Sequence, residues 1–349
     1  MKKILLVVMF AFAMSTASAQ VIYPKAGENW AKAKPSKYGY DEKKLEDLRS
    51  YIIDSMNTTG LMVIVGGESI FEFGAIDRIS YIASCRKSVL AMLYGKYVEN
   101  GTINLDMTLG ELGITDHGGL LPIEQTATVR HLIQARSGIY HPASNGGSAL
   151  DNPKVVPARG SKVPGTYHLY NNWDFNAAGT AFEKMTGKNI YKALEEDLAN
   201  PLGFQDWDIT KQRKGGNKKK SIHRAYHIYI STRDMARLGY LMLREGNWDG
   251  TQVISKSWHK DMITDWTPRE KMNPKPGKVA YGYMWWLHKI VRPEMTGAYS
   301  AMGAMGQRII VIPELDMVIA HKTDAVYGRK TPGSRINKLV DKIIDTRIQ

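Results

Sequence analysis

Strand-like segments gather at the two ends of this 349-residue chain and are scarce between them. Near the N-terminus, Leu61-Met62-Val63-Ile64-Val65 and Ser69-Ile70-Phe71-Glu72-Phe73 flank Gly66-Gly67-Glu68, a strand–turn–strand pattern. Near the C-terminus, 281–288 reads as one strand, and 307–312 with 317–322 reads as a hairpin across Pro313-Glu314-Leu315-Asp316. Helical spacing predicts helices at 41–56, with Leu45, Leu48, Ile52 and Ile53 recurring on one face, at 84–99, closed by Asn100-Gly101, and at 335–346. The middle, about 105–266, is mostly helical and loop-rich and includes a polar loop at 142–164. No period repeats. The economical arrangement joins both ends in one antiparallel sheet flanked by helices. The expected fold class is therefore α+β. Residues 20–104 and 270–349 form one α/β lobe, 105–269 form an inserted, mostly helical lobe, and a small-molecule cleft lies between them.

The first 19 residues read as a signal peptide: Lys2 and Lys3 precede an apolar run at 4–14, and Ala17-Ser18-Ala19 is an A-x-A cleavage site. The mature chain is expected to begin at Gln20 and to be periplasmic or secreted. No cysteine follows the cleavage site to carry a lipid. That run is the only long apolar stretch, and mean hydropathy is −0.32, so a polytopic membrane protein is excluded. With Cys85 as the sole cysteine, neither an intrachain disulfide nor a multi-cysteine metal cluster can form. The formal charge of +13 suits a nucleic-acid binder as well as many secreted proteins. The densest basic run, at 211–220, holds two glycines and no aromatic residue, so it offers bases nothing to stack on and reads as a solvated loop.

Three short motifs carry chemistry. Ser84-Cys85-Arg86-Lys87 is S-x-x-K at a helix start, and positions i and i+3 share a face, so the Lys87 amine can reach the Ser84 hydroxyl. Serine becomes a useful nucleophile only when a base takes its proton, and lysine is such a base only if burial or a nearby charge lowers its pKa. Tyr170-Asn171-Asn172 is Y-x-N. A tyrosine beside a lysine ammonium can sit partly as phenolate, and Asn172 can orient the lysine or donate to a substrate carbonyl. The segment Tyr299-Ser300-Ala301-Met302-Gly303-Ala304-Met305-Gly306-Gln307 enters an apolar strand, and its small residues let the backbone approach a ligand and offer an N–H to an oxyanion. Taken singly, each has a bland counterpart: an N-cap serine with a solvated lysine, a buried aromatic before a helix cap, a glycine-tolerant bend.

Their order resembles the serine β-lactamase and penicillin-binding-protein superfamily, and more closely the class C β-lactamase-related esterases and nylon-oligomer hydrolases. The resemblance spans nearly the whole mature chain. It takes in Val129-Arg130-His131-Leu132-Ile133 with Ser137-Gly138-Ile139, Pro201-Leu202-Gly203, Arg233-Asp234-Met235-Ala236-Arg237-Leu238-Gly239, Tyr281-Gly282-Tyr283-Met284-Trp285-Trp286, and Gly306-Gln307 leading to Ile312-Pro313-Glu314. It implies a β-lactamase/transpeptidase-like fold and a serine hydrolase in which Ser84 is acylated, Lys87 activates it and Tyr170 shuttles the proton. It also implies an oxyanion hole made by the Ser84 N–H and an N–H near Gly303 and Ala304, with Asn172 contacting Lys87. The expected substrate is a small ester or amide. No cofactor, metal, nucleic-acid partner or stable membrane insertion is expected.

One departure matters: no K-T-G stands on the strand beside the site. Met295-Thr296-Gly297 lies too far upstream of Ile312-Pro313-Glu314, and Met302-Gly303-Ala304-Met305-Gly306-Gln307 fits the spacing better. In the family that lysine helps hold a β-lactam carboxylate, and Arg136, Lys154 and Arg159 are the candidates to replace it. Two further readings are a β-lactamase or D-amino-peptide hydrolase acting on peptidoglycan-type substrates, and a non-catalytic or polyanion-contacting binder of cell-envelope ligands. His223 and His227, four apart, form a metal pair only if helical, and a structural role is the better reading. Tyr140, His141, His168, Trp285 and Trp286 are candidate cleft residues, with core packing the safer reading for the two tryptophans.

Overall fold

The computed structural model describes residues 21–274, 279–325 and 328–348, so the signal-peptide reading of 1–19 lies outside the described residues. Seven strands form one antiparallel sheet: β1 (Gly60–Val65), β2 (Glu68–Gly74), β3 (Val279–Tyr281), β4 (Trp286–His288), β5 (Tyr299–Gly303), β6 (Gln307–Ile312) and β7 (Met317–Lys322), in the spatial order β2-β1-β7-β6-β5-β4-β3. The two ends of the chain meet at β1 and β7, paired from Gly60↔Lys322 to Val65↔Met317. Every residue of both strands is buried, so both faces of the sheet are covered.

Alternation along these strands sorts side chains into two cores. Leu61, Val63, Ile310, Ile312 and Ile319 face α1 (Glu42–Ser55) and the C-terminal helix Gly333–Ile344, which contribute Leu45, Leu48, Ile52, Ile336, Leu339 and Ile343. Met62, Ile64, Ile309, Val311 and Val318 join the larger core built around α2 (Cys85–Glu99), α3 (Asn172–Thr186) and α4 (Thr232–Leu243). Each fully buried aliphatic side chain contributes about 1.5–3 kcal/mol, so this continuous layer is the main force joining the distant ends. We number the C-terminal helix α5.

Three local readings need correction. Residues 281–288 are not one strand: β3 and β4 pair antiparallel with Trp286 opposite Tyr281, and the chain reverses at Met284, where φ is +60°. Helix α4 lies within 105–269 yet packs on β6, β7 and β1, so it belongs structurally to the sheet. Gly239 is why it fits: a Cβ there would stand 2.5 Å from Val318 Cγ1 and 2.8 Å from Ile309 Cγ2. The basic run is only partly loop. Arg213–Gly215 pairs with Ala225–His227, while Lys218, Lys219 and Lys220 form its exposed tip. Among the described residues no helix is long and apolar enough to cross a membrane.

Candidate active site

The site forms where α2, the segment entering α3 and the end of β5 converge. Ser80–Tyr81 pairs with Tyr229–Ile230, and the buried Lys322 ammonium group donates to the Ser80 and Ile230 carbonyls, pinning this ribbon to β7. The chain then turns at Ala83, a non-glycine residue with φ of +48°, and delivers Ser84 to the first turn of α2. Such a conformation costs energy in a residue with a Cβ and persists where its surroundings enforce it. The Ser84 side chain makes no capping hydrogen bond to its own helix, so its Oγ is left for other partners.

That partner is Lys87. Its Nζ lies 3.0 Å from Ser84 Oγ, 2.5 Å from the Tyr170 hydroxyl and 2.8 Å from Asn172 Oδ1. Lysine 87 is 1% exposed, which rules out the bland reading of a solvated lysine. Burial holds the amine well below the ordinary lysine range, and the neighbouring Arg86 cation adds to this. A neutral amine has two N–H donors and one lone pair. It can donate to Asn172 Oδ1 and the Tyr170 oxygen while accepting the Ser84 hydroxyl proton, which satisfies all three contacts.

Tyr170 departs from the expected partial phenolate. Its ring packs against Phe175, Tyr281 and Trp286 with centroids 4.8, 6.2 and 5.2 Å away, and burial pushes the phenol up to about 12. Burial disfavours both the Lys87 ammonium and the Tyr170 phenolate, so Tyr170 is placed to donate a proton. Asn172 opens α3 behind the Asn171 N-cap, which accepts from the Asp174 amide. The Asn172 amide group donates to the Gly146 carbonyl at 2.7 Å, tying the polar 142–164 loop to the site.

Gly303 closes the other side. A Cβ on it would stand 2.6 Å from the Ile82 carbonyl oxygen and 3.1 Å from the Ser84 nitrogen, so only glycine lets β5 end against the Ser84 amide. Ala304 follows at the surface, and Arg308 Nη1 donates to the Gly303 carbonyl at 2.8 Å. Five of the candidate residues, Ser84, Lys87, Tyr170, Asn172 and Gly303, thus come from three remote stretches to one place, and Ala304 adjoins them as the residue after Gly303.

The other candidates separate. Trp286 is half-buried against Tyr170, whereas Trp285 is fully buried against Tyr299. His168 is buried beside Tyr281 behind Tyr170, Tyr140 is buried, and both ring nitrogens of His141 bond to main-chain carbonyls. The His223 ring bonds to the Thr115 carbonyl and the Thr180 hydroxyl, and His227 lies in a strand, so the two form no helical pair. The Cys85 thiol is buried and pushed up to about 12 by that burial, which makes it unreactive. Arg136 is engaged with Thr267 and the Gly165 carbonyl, and Arg159 with Glu124 and the Gly119 carbonyl. Sequence reasoning missed Phe175, Tyr281 and Arg86. The first two lie on an ordinary helix and strand, and the third was visible only as the filler of S-x-x-K.

Residues 54–335 match the family described as Beta-lactamase. In fold the chain is similar to a Bacillus anthracis protein assigned as a 6-aminohexanoate-dimer hydrolase, with 18% identity, a TM-score of 0.67, and 93% of this chain and 88% of that one covered. It is also similar to a penicillin-binding-protein homologue from Caulobacter crescentus, with 14% identity, a TM-score of 0.64, and 90% and 99% covered. A family VIII carboxylesterase matches at 14% identity with a TM-score of 0.61, and 87% and 97% covered. With the family match covering most of its length and the same fold recurring in these structures, the chain belongs to the Beta-lactamase family of serine hydrolases.

Proposed function

We propose that this protein is a secreted hydrolase that cleaves a small ester or amide through an acyl-enzyme on Ser84. The observation that carries the reading is the placement of one buried amine, Lys87 Nζ, within hydrogen-bond reach of Ser84 Oγ, Tyr170 Oη and Asn172 Oδ1. Ser84 Oγ attacks the substrate carbonyl carbon while its proton passes to Lys87 Nζ. In this reading the oxyanion is held by the Ser84 N–H and an N–H at Ala304, and the close approach of Gly303 to the Ser84 nitrogen supports it. The C–O or C–N bond then breaks as the leaving group takes a proton through Tyr170, and Lys87 restores the Tyr170 proton. Water attacks the acyl-enzyme with its proton drawn along the same path, releasing the acid and regenerating Ser84. A pure ligand binder has no chemical need for this proton path. Secretion rests on the A-x-A pattern at 17–19.

Treatment with a fluorophosphonate, followed by mass spectrometry of the digested protein, tests the reading. A single adduct on Ser84 is expected, and Ser84→Ala is expected to remove both the adduct and ester turnover while leaving thermal unfolding unchanged. Undiminished hydrolysis by Ser84→Ala would overturn it.

A further inference from the structure

Arg86 takes no direct part in acyl transfer, yet it is one of the largest fully buried side chains in the protein. It lies between Cys85 and Lys87 in the first turn of α2 and is 1% exposed. A guanidinium keeps its proton in proteins, so this is a permanent buried cation. Buried cations ordinarily pair with carboxylates because an uncompensated charge in the interior is costly. Among the described residues, Arg86 has no such partner. Its Nη2 donates to the neutral Asn176 Oδ1 at 3.0 Å, its guanidinium carbon stands 4.3 Å from the centre of the Tyr226 ring, and Nη1 has no partner.

The groups packed around Lys87 do not offset this charge. Helix α3 and the segment entering it present Tyr170, Asn172 and Phe175. The Asp174 carboxyl on α3 accepts from Ser137, and burial pushes it up to about 8. Cys85 on α2 itself stays a thiol. The strand Ala225–His227 presents Tyr226 and a His227 held neutral by burial and by Arg86, down to about 4. Strand β6 brings the Arg308 cation, and β7 brings Lys322, which burial lowers to about 7. Among the described residues no carboxylate pairs with Arg86 or Lys87, whereas Asp234 and Asp324 stand near Lys322.

We propose that Arg86 is a positioning residue for the general base: its uncompensated guanidinium, fixed one residue from Lys87, opposes a second positive charge there and keeps the lysine a free amine able to take the Ser84 proton. This rests on the reading of Lys87 as the base of an acyl-transfer site. At an effective dielectric constant of about 20, a unit charge displaces a neighbour's titration by about one pH unit from roughly 12 Å, and by more when it stands closer.

The test is the pH dependence of Ser84 labelling by a fluorophosphonate, a readout that needs no natural substrate. In the wild type the rate should rise along a limb set by loss of a proton from Lys87. Arg86→Met, which removes the charge and keeps the length, should move that limb up by about one pH unit or more. Asn176→Asp, which keeps Arg86 and supplies the missing anion beside it, should move the limb in the same direction and decides the matter if Arg86→Met does not fold. Tyr226→Leu, which removes packing on the guanidinium but no charge, should slow labelling at most and leave the limb in place. A wild-type limb in either charge-changing variant would overturn the role of Arg86 while leaving the acyl-enzyme reading intact. Absence of any Ser84 adduct in the wild type would overturn both.

Discussion

At the scale of single residues, the proposed mechanism makes Lys87 and Tyr170 one proton-transfer unit, joined by one hydrogen bond. Lys87→Ala and Tyr170→Phe are each expected to lower kcat by about 10²-fold or more, the usual loss on removing a positioned acid or base. The double variant should lose little beyond the worse single one, since either change already breaks the path. Losses that multiply in a double-mutant cycle of ester hydrolysis would show that the two groups act independently. Gly303 is the complementary case. Gly303→Ala puts a methyl group against the Ile82 carbonyl and the Ser84 nitrogen, so kcat should fall about tenfold or more while the melting temperature moves by only a few degrees. Unchanged kcat would show that the Ser84 amide tolerates displacement. The meeting of Ser84, Lys87 and Tyr170 was legible in sequence through S-x-x-K and Y-x-N. Their protonation states were not: a phenolate at Tyr170 follows from an ammonium at Lys87, and only the three-dimensional burial of the amine shows that the ammonium is disfavoured.

At the scale of elements, β6 and β7 were readable to the residue because Pro313 and Asp316 bracket their turn and both strands are long and apolar. Helix α2 was placed by its start and its Asn100-Gly101 stop. Its interior could not be apportioned to faces, since nearly every residue is buried and no polar stripe exists. Strands β3 and β4 merged in the reading because their reversal runs through Tyr283, Met284 and Trp285, residues that do not punctuate a chain. The cause lies elsewhere: a Cβ at Gly282 would stand 2.1 Å from the Met262 carbonyl, a contact no local pattern reveals. Helix α4 was misplaced for the same reason, as its docking depends on the gap at Gly239. Gly239→Val should therefore push α4 off Val318 and Ile309 and destabilise the protein by about 1–3 kcal/mol, read as a lowered denaturant midpoint with an unchanged slope. A midpoint equal to that of the wild type would mean that α4 is not packed against β6 and β7 at this residue.

At the scale of the whole molecule, the sheet closes the chain on itself and sets the site at the seam. Ser84 and Lys87 follow the N-terminal strands, Tyr170 and Asn172 open a helix of the middle region, and Gly303 ends a C-terminal strand. That division was legible from strands clustered at both ends, and the order of the motifs made the family legible as well. The proposed substrate class rests on what lines the end of β5. Small side chains and backbone donors at Gly303 and Ala304 suit any carbonyl that fits, but the strand carries no lysine to meet a carboxylate. Of the cations that could stand in, Arg136 and Arg159 are engaged elsewhere, Lys154 is exposed on the 142–164 loop, and Arg308 donates through Nη1 to the carbonyls of Gly303 and Gln307. A missing charge-assisted hydrogen bond weakens transition-state binding by about 1.5–3 kcal/mol, or roughly one to two decades in rate. Short p-nitrophenyl esters should accordingly be hydrolysed with a kcat/KM at least tenfold to a hundredfold above that for nitrocefin. Equal values for the two would mean that a cation does reach the β-lactam carboxylate. Arg308→Gln would then identify it, because nitrocefin turnover should fall in that variant by far more than ester turnover.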